Sequence, residues 1–502
     1  MYTGGKAFKS KGTGGYCMIF RRKIYDRLLR WKEERQGKTA LLIEGARRVG
    51  KSTIVEEFAR KEYKSYILID FSLVSREVMD LFDDLTNLDF LFLSLQTIFH
   101  VDLYKRESLI VFDEVQFCPR ARQAIKVLVK DHRYDYIETG SLISIRKNVQ
   151  NILIPSEEER IEMFPMDYEE FSLAVNGSDC SLLRRFYDAG MALGQAHRNA
   201  MRDFRLYMLV GGMPQVVKEY IDSNNFRIVD EAKRGIIDLY EADLNKIDPG
   251  GSISRLFDSI PAQLSGKKTR YQITSVLPTR RASDIQTAGL ISALEDSKTV
   301  LVAHQVYDPN VGLSNSVNLD YYKIYCGDTG LFTTLMFKDK TYTDNIIYRQ
   351  LLTDKLPANL GFLYENVVAQ TFAASGHKLY YHTWKDRQSG KPYEIDFLLA
   401  DGKKICPVEV KSSGYKKHES MDAFAKQFSS RISRKYLIYT KDYSKIQDLT
   451  CLPVYMAQFL ADKHSDGGTW RADAGADTEI AEQADTGADT EIAGQADAGT
   501  DQ

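Results

Sequence analysis

The chain has 502 residues, of which 43% are hydrophobic and 27% charged. That is too long for one domain and too balanced for a wholly disordered or fibrous protein, so two to four domains are expected. The formal charge of −2, from 67 Lys+Arg against 69 Asp+Glu, excludes a protein built mainly to coat nucleic acid or anionic membrane. This average is uneven: residues 465–502 hold ten acids against Arg471, so that end carries −9 and the remaining 464 residues carry +7.

Residues 1–17 are rich in Gly, Lys and Ser and are expected to be disordered. They lack the apolar stretch of a secretory leader. From 18 to 165, short apolar runs at Thr39–Glu44, Ser65–Phe71, Ser108–Asp113 and Tyr134–Thr139 alternate with helical patterns, predicting a parallel sheet in an α/β domain. Residues 166–340 read as mostly helical with short strands. Residues 341–462 read as helix, two strands, helix and strand. From Ser465 the chain is of low complexity: GADTEIAEQADT at 475–486 recurs as GADTEIAGQADA at 487–498. Two copies cannot build a repeat core, so a disordered acidic tail is expected. The most apolar stretch, Leu88 to Phe99, is too short to span a bilayer. Six scattered cysteines (Cys17, Cys118, Cys180, Cys326, Cys406, Cys451) show no C-x-x-C and no histidine at zinc spacing. They predict neither a disulfide framework nor a structural metal site, and they suit a reducing cytoplasm.

The first chemical motif is Gly45-Ala46-Arg47-Arg48-Val49-Gly50-Lys51-Ser52, a complete G-x-x-x-x-G-K-[ST]. It follows the apolar run Ala40-Leu41-Leu42-Ile43 and opens a helical run at Thr53, the strand–loop–helix context that makes the pattern specific. Backbone N–H groups of such a loop wrap phosphate oxygens. Lys51 is expected to reach the β- and γ-phosphates of ATP, and Ser52 to offer its hydroxyl to Mg²⁺. The partner acid strand is Ser108-Leu109-Ile110-Val111-Phe112-Asp113-Glu114. Asp113 would hold Mg²⁺ through water, and Glu114 would activate the attacking water. On the next strand, Thr139 or Ser141 stands at the carboxyl edge, where ligands of α/β sheets sit and a γ-phosphate can be sensed.

GARRVGKS, FDEVQFCP, ETGS, Arg160, FPMDYEEF and YMLVGGMP together resemble a family of bacterial and archaeal AAA-like P-loop ATPases fused to a C-terminal domain of unknown function. The resemblance spans roughly residues 18–460. It implies an ASCE-type sheet with an extra strand between the cradle and acid strands, a place that Ser65–Phe71 can fill. It also implies a helical lid. Arg160 matches the family's arginine finger, although Glu159 stands where relatives usually have Gly. Pro214, in Gly211-Gly212-Met213-Pro214, matches a lid proline that packs near the base.

In the middle region, a helix over Ser252–Ser265, a second over Ser283–Leu294 and a strand over Thr299–Tyr307 outline a winged helix. Lys267, Lys268, Arg270, Arg280 and Arg281 cluster around it and could meet phosphates. Asp328-Thr329-Gly330-Leu331 reads as structural.

The second motif is polar. Glu365 lies on the helical run Gly361–Ser375, Glu394 and Asp396 alternate with Ile395 and Phe397, and Glu409 and Lys411 share a face of the following strand. Asp401-Gly402 is a hairpin signal, and an even-length loop would gather these polar residues on one face. An upstream helical Glu, an Asp and Glu-x-Lys resemble the PD-(D/E)xK nuclease fold, a restriction-endonuclease-like α/β architecture. The resemblance implies that Glu365, Asp396 and Glu409 bind Mg²⁺ while Lys411 positions or activates water. Gln427 is a further candidate for that pocket.

The expectation is therefore an ATP- and Mg²⁺-dependent P-loop ATPase over 18–165, a lid and winged-helix-like region over 166–340, and a nuclease-like domain over 341–462. DNA, a second copy of the chain or another protein are the candidate partners, with no membrane. The alternative is a nucleotide-gated switch or scaffold whose C-terminal domain binds without cleaving.

Overall fold

The computed structural model describes residues 8–10, 17–140, 156–266, 268–277, 284–339, 345–353, 361–386, 389–412 and 418–464. Ser141, Lys267, Arg280, Arg281 and the acidic repeat lie outside the described residues. Within the N-terminal stretch expected to lack structure, Phe8–Ser10 pairs antiparallel with Cys17–Ile19.

Five parallel strands form the first sheet, in the order Ser65–Asp70, Ser108–Asp113, Asp135–Gly140, Ala40–Glu44, Glu158–Glu162. Its three inner strands are buried on both faces, as the middle of a covered parallel sheet must be. Leu41, Ile43, Leu109, Val111 and Ile137 face one core, with Leu28, Trp31, Ile54 and Phe58 of the helices Ile24–Arg35 and Lys51–Glu62. Ala40, Leu42, Ile110, Phe112 and Tyr136 face the other, with Leu91, Leu95, Ile125 and Leu128 of Leu88–Phe99 and Pro119–Asp131.

Two features depart from expectation. The place between the cradle strand and the acid strand is filled by Asp135–Gly140, which pairs with both, and not by Ser65–Asp70, which takes the edge. Burial explains it: Asp135–Gly140 is buried throughout, as a central strand must be, whereas Ser65–Asp70 is half-buried. The fifth strand, Glu158–Glu162, escapes a hydrophobic-pattern search because Glu-Glu-Arg-Ile-Glu is mostly charged, and at the edge these charges are met by ion pairs, Glu158 with Arg122 and Glu159 with Arg35.

Among the described residues, five helices follow: Tyr168–Asn176, Ser181–Ala189, His197–Val210, Pro214–Ser223 and Phe226–Ile247. The helix expected over Ser252–Ser265 is two, Ser252–Asp258 and Ile260–Ser265, with Pro261 in the first turn of the second. After the helix Asp284–Asp296, Val300–Val306 pairs antiparallel with Val317–Cys326. It also pairs in parallel with Leu379–Lys385, so strand pairing crosses the boundary expected near residue 340. The resulting four-stranded sheet runs Pro392–Ile395, Leu379–Lys385, Val300–Val306, Val317–Cys326.

A further five-stranded sheet runs Phe397–Asp401, Lys404–Val410, Lys435–Tyr439, Leu449–Pro453, Ser444–Ile446. Its first two strands are a hairpin with Asp401 opposite Lys404, a two-residue loop at Gly402 and Lys403. The single strand expected over Tyr393–Leu398 breaks at Asp396: Pro392–Ile395 joins one sheet and Phe397–Asp401 the other. From Gly361 the order is thus helix, strands, helix Glu419–Phe428 and strand. No helix among the described residues is long and apolar enough to cross a membrane.

Candidate functional site

The Gly45–Ser52 loop leaves the central strand Ala40–Glu44 and enters the helix Lys51–Glu62. Gly50 has φ 98°, a left-handed conformation that a side chain would strain. Lys51 is buried, and its Nζ donates to the carbonyls of Gly45 at 2.9 Å and Ala46 at 3.0 Å. Burial lowers its pKa to about 8, against the opposing pull of Glu114 and Asp113. Ser52 Oγ donates to Asp113 Oδ1 at 2.8 Å, and the Thr139 hydroxyl donates to the same oxygen. The backbone N–H of Glu114 points at Thr139 Oγ1 at 3.4 Å. Glu114 itself sits at φ 53°, and its carboxylate accepts from Gln116. The structure thus brings Lys51, Ser52, Asp113, Glu114 and Thr139 to one end of the sheet. A hydroxyl, an acid and a buried ammonium beside a glycine-bounded loop that opens a helix fit a nucleotide phosphate with Mg²⁺.

Three supports of this loop carry no sequence signal. Arg22 is buried, donates to Val49 O at 2.8 Å and Phe164 O at 2.7 Å, and pairs with Glu170 at 3.1 Å. Tyr240 of the helix Phe226–Ile247 donates to Arg47 O at 2.9 Å, and Asp243 pairs with the Arg47 guanidinium at 3.0 Å. Pro214 lies beside the loop, its Cγ 3.6 Å from where a Cβ on Gly50 would stand. Arg160 is on the edge strand opposite Leu42, with its guanidinium 2.8 Å from Glu158 and 3.8 Å from Glu44.

A second cluster forms where the two C-terminal sheets meet. Carboxylate oxygens of Glu365, Glu394 and Asp396 lie within 4.8 Å of one another. Lys323, from the strand Val317–Cys326, enters among them with its Nζ 2.9 Å from Glu365 and paired to Glu394, and Tyr325 donates to Glu365. Glu409 is not among these three; it is buried and pairs with Lys411 at 2.5 Å. Asp396 accepts from the Val410 N–H at 2.7 Å, which ties the two groups together. Burial raises the pKa of Asp396 well above the ordinary range, reinforced by Glu365 and opposed by Lys323. Glu409 is also raised by burial, opposed by Lys411. For Lys323 burial works downward, but Glu365, Tyr325 and Glu394 outweigh it and hold it well above its ordinary value. The expected ligand set was Glu365, Asp396 and Glu409, and in the structure Glu394 stands with Glu365 and Asp396 instead, while Lys323 and Tyr325 arrive from a distant strand whose only signal is their i, i+2 spacing. Gln427 is exposed. In the middle region, Arg270 stacks on Tyr321 at 4.4 Å and Lys268 donates to Gln272 at 2.7 Å.

Comparison with known proteins agrees with the first site. The model of an AAA domain family matches residues 37–172. Two domains of unknown function match residues 201–341 (DUF8612) and 360–456 (DUF4143). No curated protein matches the sequence. Among solved structures, a Walker-type ATPase of Pyrococcus abyssi is 17% identical, covers 63% of this chain and 96% of its own, and has a TM-score of 0.39. The Orc1 protein of Aeropyrum pernix in complex with DNA is 11% identical, with coverages of 64% and 94% and a TM-score of 0.27. The RuvB Holliday junction branch migration motor of Thermotoga maritima is 12% identical, with coverages of 52% and 83% and a TM-score of 0.26. Residues 37–172 are thus similar to an AAA domain and carry the cradle at one end of a five-stranded parallel sheet.

Proposed function

We propose that the protein binds and hydrolyses ATP with Mg²⁺ and couples this to a C-terminal nuclease-like domain that acts on or near DNA. The observation that carries the reading is the convergence of Ser52 and Thr139 on Asp113 Oδ1 beside the buried Lys51. Ser52 and Asp113 would hold Mg²⁺, which neutralises phosphate charge when bound. The loop amides from Ala46 to Thr53 and the Lys51 ammonium bind phosphate oxygens, Glu114 takes the proton of the attacking water, and Thr139 senses the γ-phosphate. Arg160 would serve a neighbouring copy's nucleotide, and Pro214 would report the nucleotide state to the lid.

Supporting the coupling, contacts run from the cradle to the second cluster. Arg22 links Val49 to Phe164, Met166 N donates to Gly212 O at 2.7 Å, and Gly212 N donates to Asp328 at 2.6 Å. Thr329 then donates to Gln370 at 2.9 Å, on the same helix as Glu365. The helix–strand–helix–strand order and the acids Glu365, Asp396 and Glu409 with Lys411 support the nuclease-like reading, with these acids as Mg²⁺ ligands. The +7 body suits local, salt-sensitive contact with DNA.

Lys323 favours a second reading, a nucleotide-gated switch or scaffold. A resident ammonium among Glu365, Glu394 and Asp396 already supplies the positive charge that a cation would bring. The test is ATP turnover and cleavage of plasmid and short duplexes with Mg²⁺ or Mn²⁺, with and without ATP. Lys51→Ala and Glu114→Gln should abolish turnover, and Asp396→Ala and Lys411→Ala should abolish cleavage. Undiminished turnover by Lys51→Ala would falsify the ATPase half. Binding without cleavage in every condition replaces the nuclease half with the switch. Arg160→Ala turnover measured across protein concentration reports action in trans.

A further inference from the structure

Cysteine spacing gives no metal site, but folding assembles one set of donors of three kinds. Cys406 lies on the strand Lys404–Val410 opposite Leu399, Asp401 ends the neighbouring strand, and His464 ends the helix Ala457–His464. Cys406 is fully buried and His464 is 7% exposed. Asp401 Oδ2 is 3.6 Å from Cys406 Sγ, and Oδ1 is 3.5 Å from His464 Nδ1. One donor atom from each of the three lies within 4.8 Å of the others. A tetrahedral zinc site with bonds of about 2.0–2.3 Å has ligand–ligand edges of roughly 3.3–3.8 Å. The Cys406 and His464 distances to the Asp401 carboxylate, one at each of its oxygens, fall in that range.

The imidazole points the same way. At 3.5 Å the Asp401 contact to His464 Nδ1 is too long for a good hydrogen bond, which leaves the nitrogen that faces the carboxylate free to take a cation. Burial lowers the His464 pKa against the pull of Asp401, leaving the neutral ring that a metal requires. Burial also pushes the Cys406 thiol up to about 11, while the Ser433 hydroxyl at 3.0 Å and the Arg434 backbone N–H favour its thiolate. A bound cation would displace the thiol proton. Arg434, Lys463 and His377 oppose positive charge at His464, and the thiolate and Asp401 carboxylate would offset them.

The arrangement does not suit nucleophilic catalysis. An activated cysteine needs the imidazole against the sulfur with the carboxylate behind it. Here the carboxylate stands between sulfur and imidazole, and the sulfur is sealed from solvent.

We propose that Asp401, Cys406 and His464 bind a zinc-class divalent cation, with the Ser433 hydroxyl or a water as fourth ligand, and that it pins the final described helix to the sheet. This site is separate from the Glu365 cluster, and cobalt distinguishes the two. The full chain is stripped with chelator and titrated with Co²⁺. The expected result is one equivalent giving a near-ultraviolet thiolate-to-cobalt band, lost on adding Zn²⁺, with release of one proton. His464→Ala, at the end of its helix and checked for fold by circular dichroism, should weaken Zn²⁺ binding at least tenfold. Cys406→Ser should lose the band, whereas Glu365→Gln with Asp396→Asn should keep it, since an oxygen-only site gives none. A missing band at stoichiometric Co²⁺, or unchanged Zn²⁺ affinity in folded His464→Ala, overturns the proposal.

Discussion

Lys51 donates to two loop carbonyls, with its ammonium stripped of water and flanked by Glu114, Asp113 and Arg47. In the free protein it loses its proton near pH 8, against 10.5 for an ordinary lysine. A phosphate oxyanion favours the ammonium, so nucleotide binding above pH 8 must take up a proton. Affinity should fall as pH rises through that value, approaching tenfold per unit. Calorimetry in two buffers of different ionisation enthalpy should register the uptake, and Lys51→Arg should show none, because a guanidinium stays charged. Stability runs the other way. Between about 8 and 10.5 the unfolded chain binds more protons at this site than the native one, so this residue's contribution to stability rises with pH. Arg22 is the second decisive residue. Truncating it to Ala leaves Glu170 buried without its nearest cation and two carbonyls without a donor. A loss of about 3–5 kcal/mol is expected in denaturant unfolding. A loss within the range of ordinary surface changes would show that Arg22 does not support the loop.

At the scale of elements, close approach of backbones decides the architecture. Gly212 lies against Met166, and a Cβ there would stand 2.1 Å from the Met166 carbonyl oxygen. Gly212→Ala should therefore destabilise the protein by about 1–3 kcal/mol. The cost should appear as a lowered melting temperature, and an unchanged one would mean that this junction is loose. Its neighbour Asp328 accepts from Gly212 N and caps the helix Thr329–Leu335 through Leu331 N at 2.9 Å, so one carboxylate joins the turn before Pro214 to that helix. The strand Asp135–Gly140 shows how polar residues come to occupy a sheet centre. Tyr63 donates to Asp135 at 2.8 Å and Arg106 pairs with it at 2.6 Å, while Arg122 pairs with Glu158 at 2.9 Å below Glu138. Burial raises the pKa of Glu138 well above its ordinary value, reinforced by Glu158.

Across the whole molecule, the strand Val317–Cys326 delivers Lys323 into a carboxylate cluster built by residues from 365 onward. Lys323→Met leaves those carboxylates facing one another. Asp396, already held above its ordinary pKa by burial, should rise further without the opposing ammonium. The native state then binds more protons than the unfolded chain across a wider window, so stability falls as pH rises through it. Thermal unfolding of Lys323→Met should show a deficit at pH 7 of about 3–5 kcal/mol that shrinks in acid and on adding Mn²⁺. Equal melting of variant and parent at neutral pH would remove Lys323 from the cluster.

The chain by itself determined the alternation of apolar runs and helices that makes an α/β domain, and the cradle Gly45–Ser52 with the acid pair Asp113-Glu114. It also singled out Glu365, Glu394, Asp396 and Glu409 as candidate acids. These are local signals, set by periodicity and by motifs whose spacing is fixed by one loop or strand. Tertiary structure decided which strand stands between cradle and acid strand, because order within a parallel sheet depends on which strands have two neighbours to bury them. It decided that Glu394, and not Glu409, joins Glu365 and Asp396, because the strand breaks at Asp396 and its halves enter different sheets. It also placed Arg22, Lys323 and the Asp401–Cys406–His464 set, whose partners are distant in sequence. Contacts of that kind leave no periodic trace, since they are fixed only when separate elements pack.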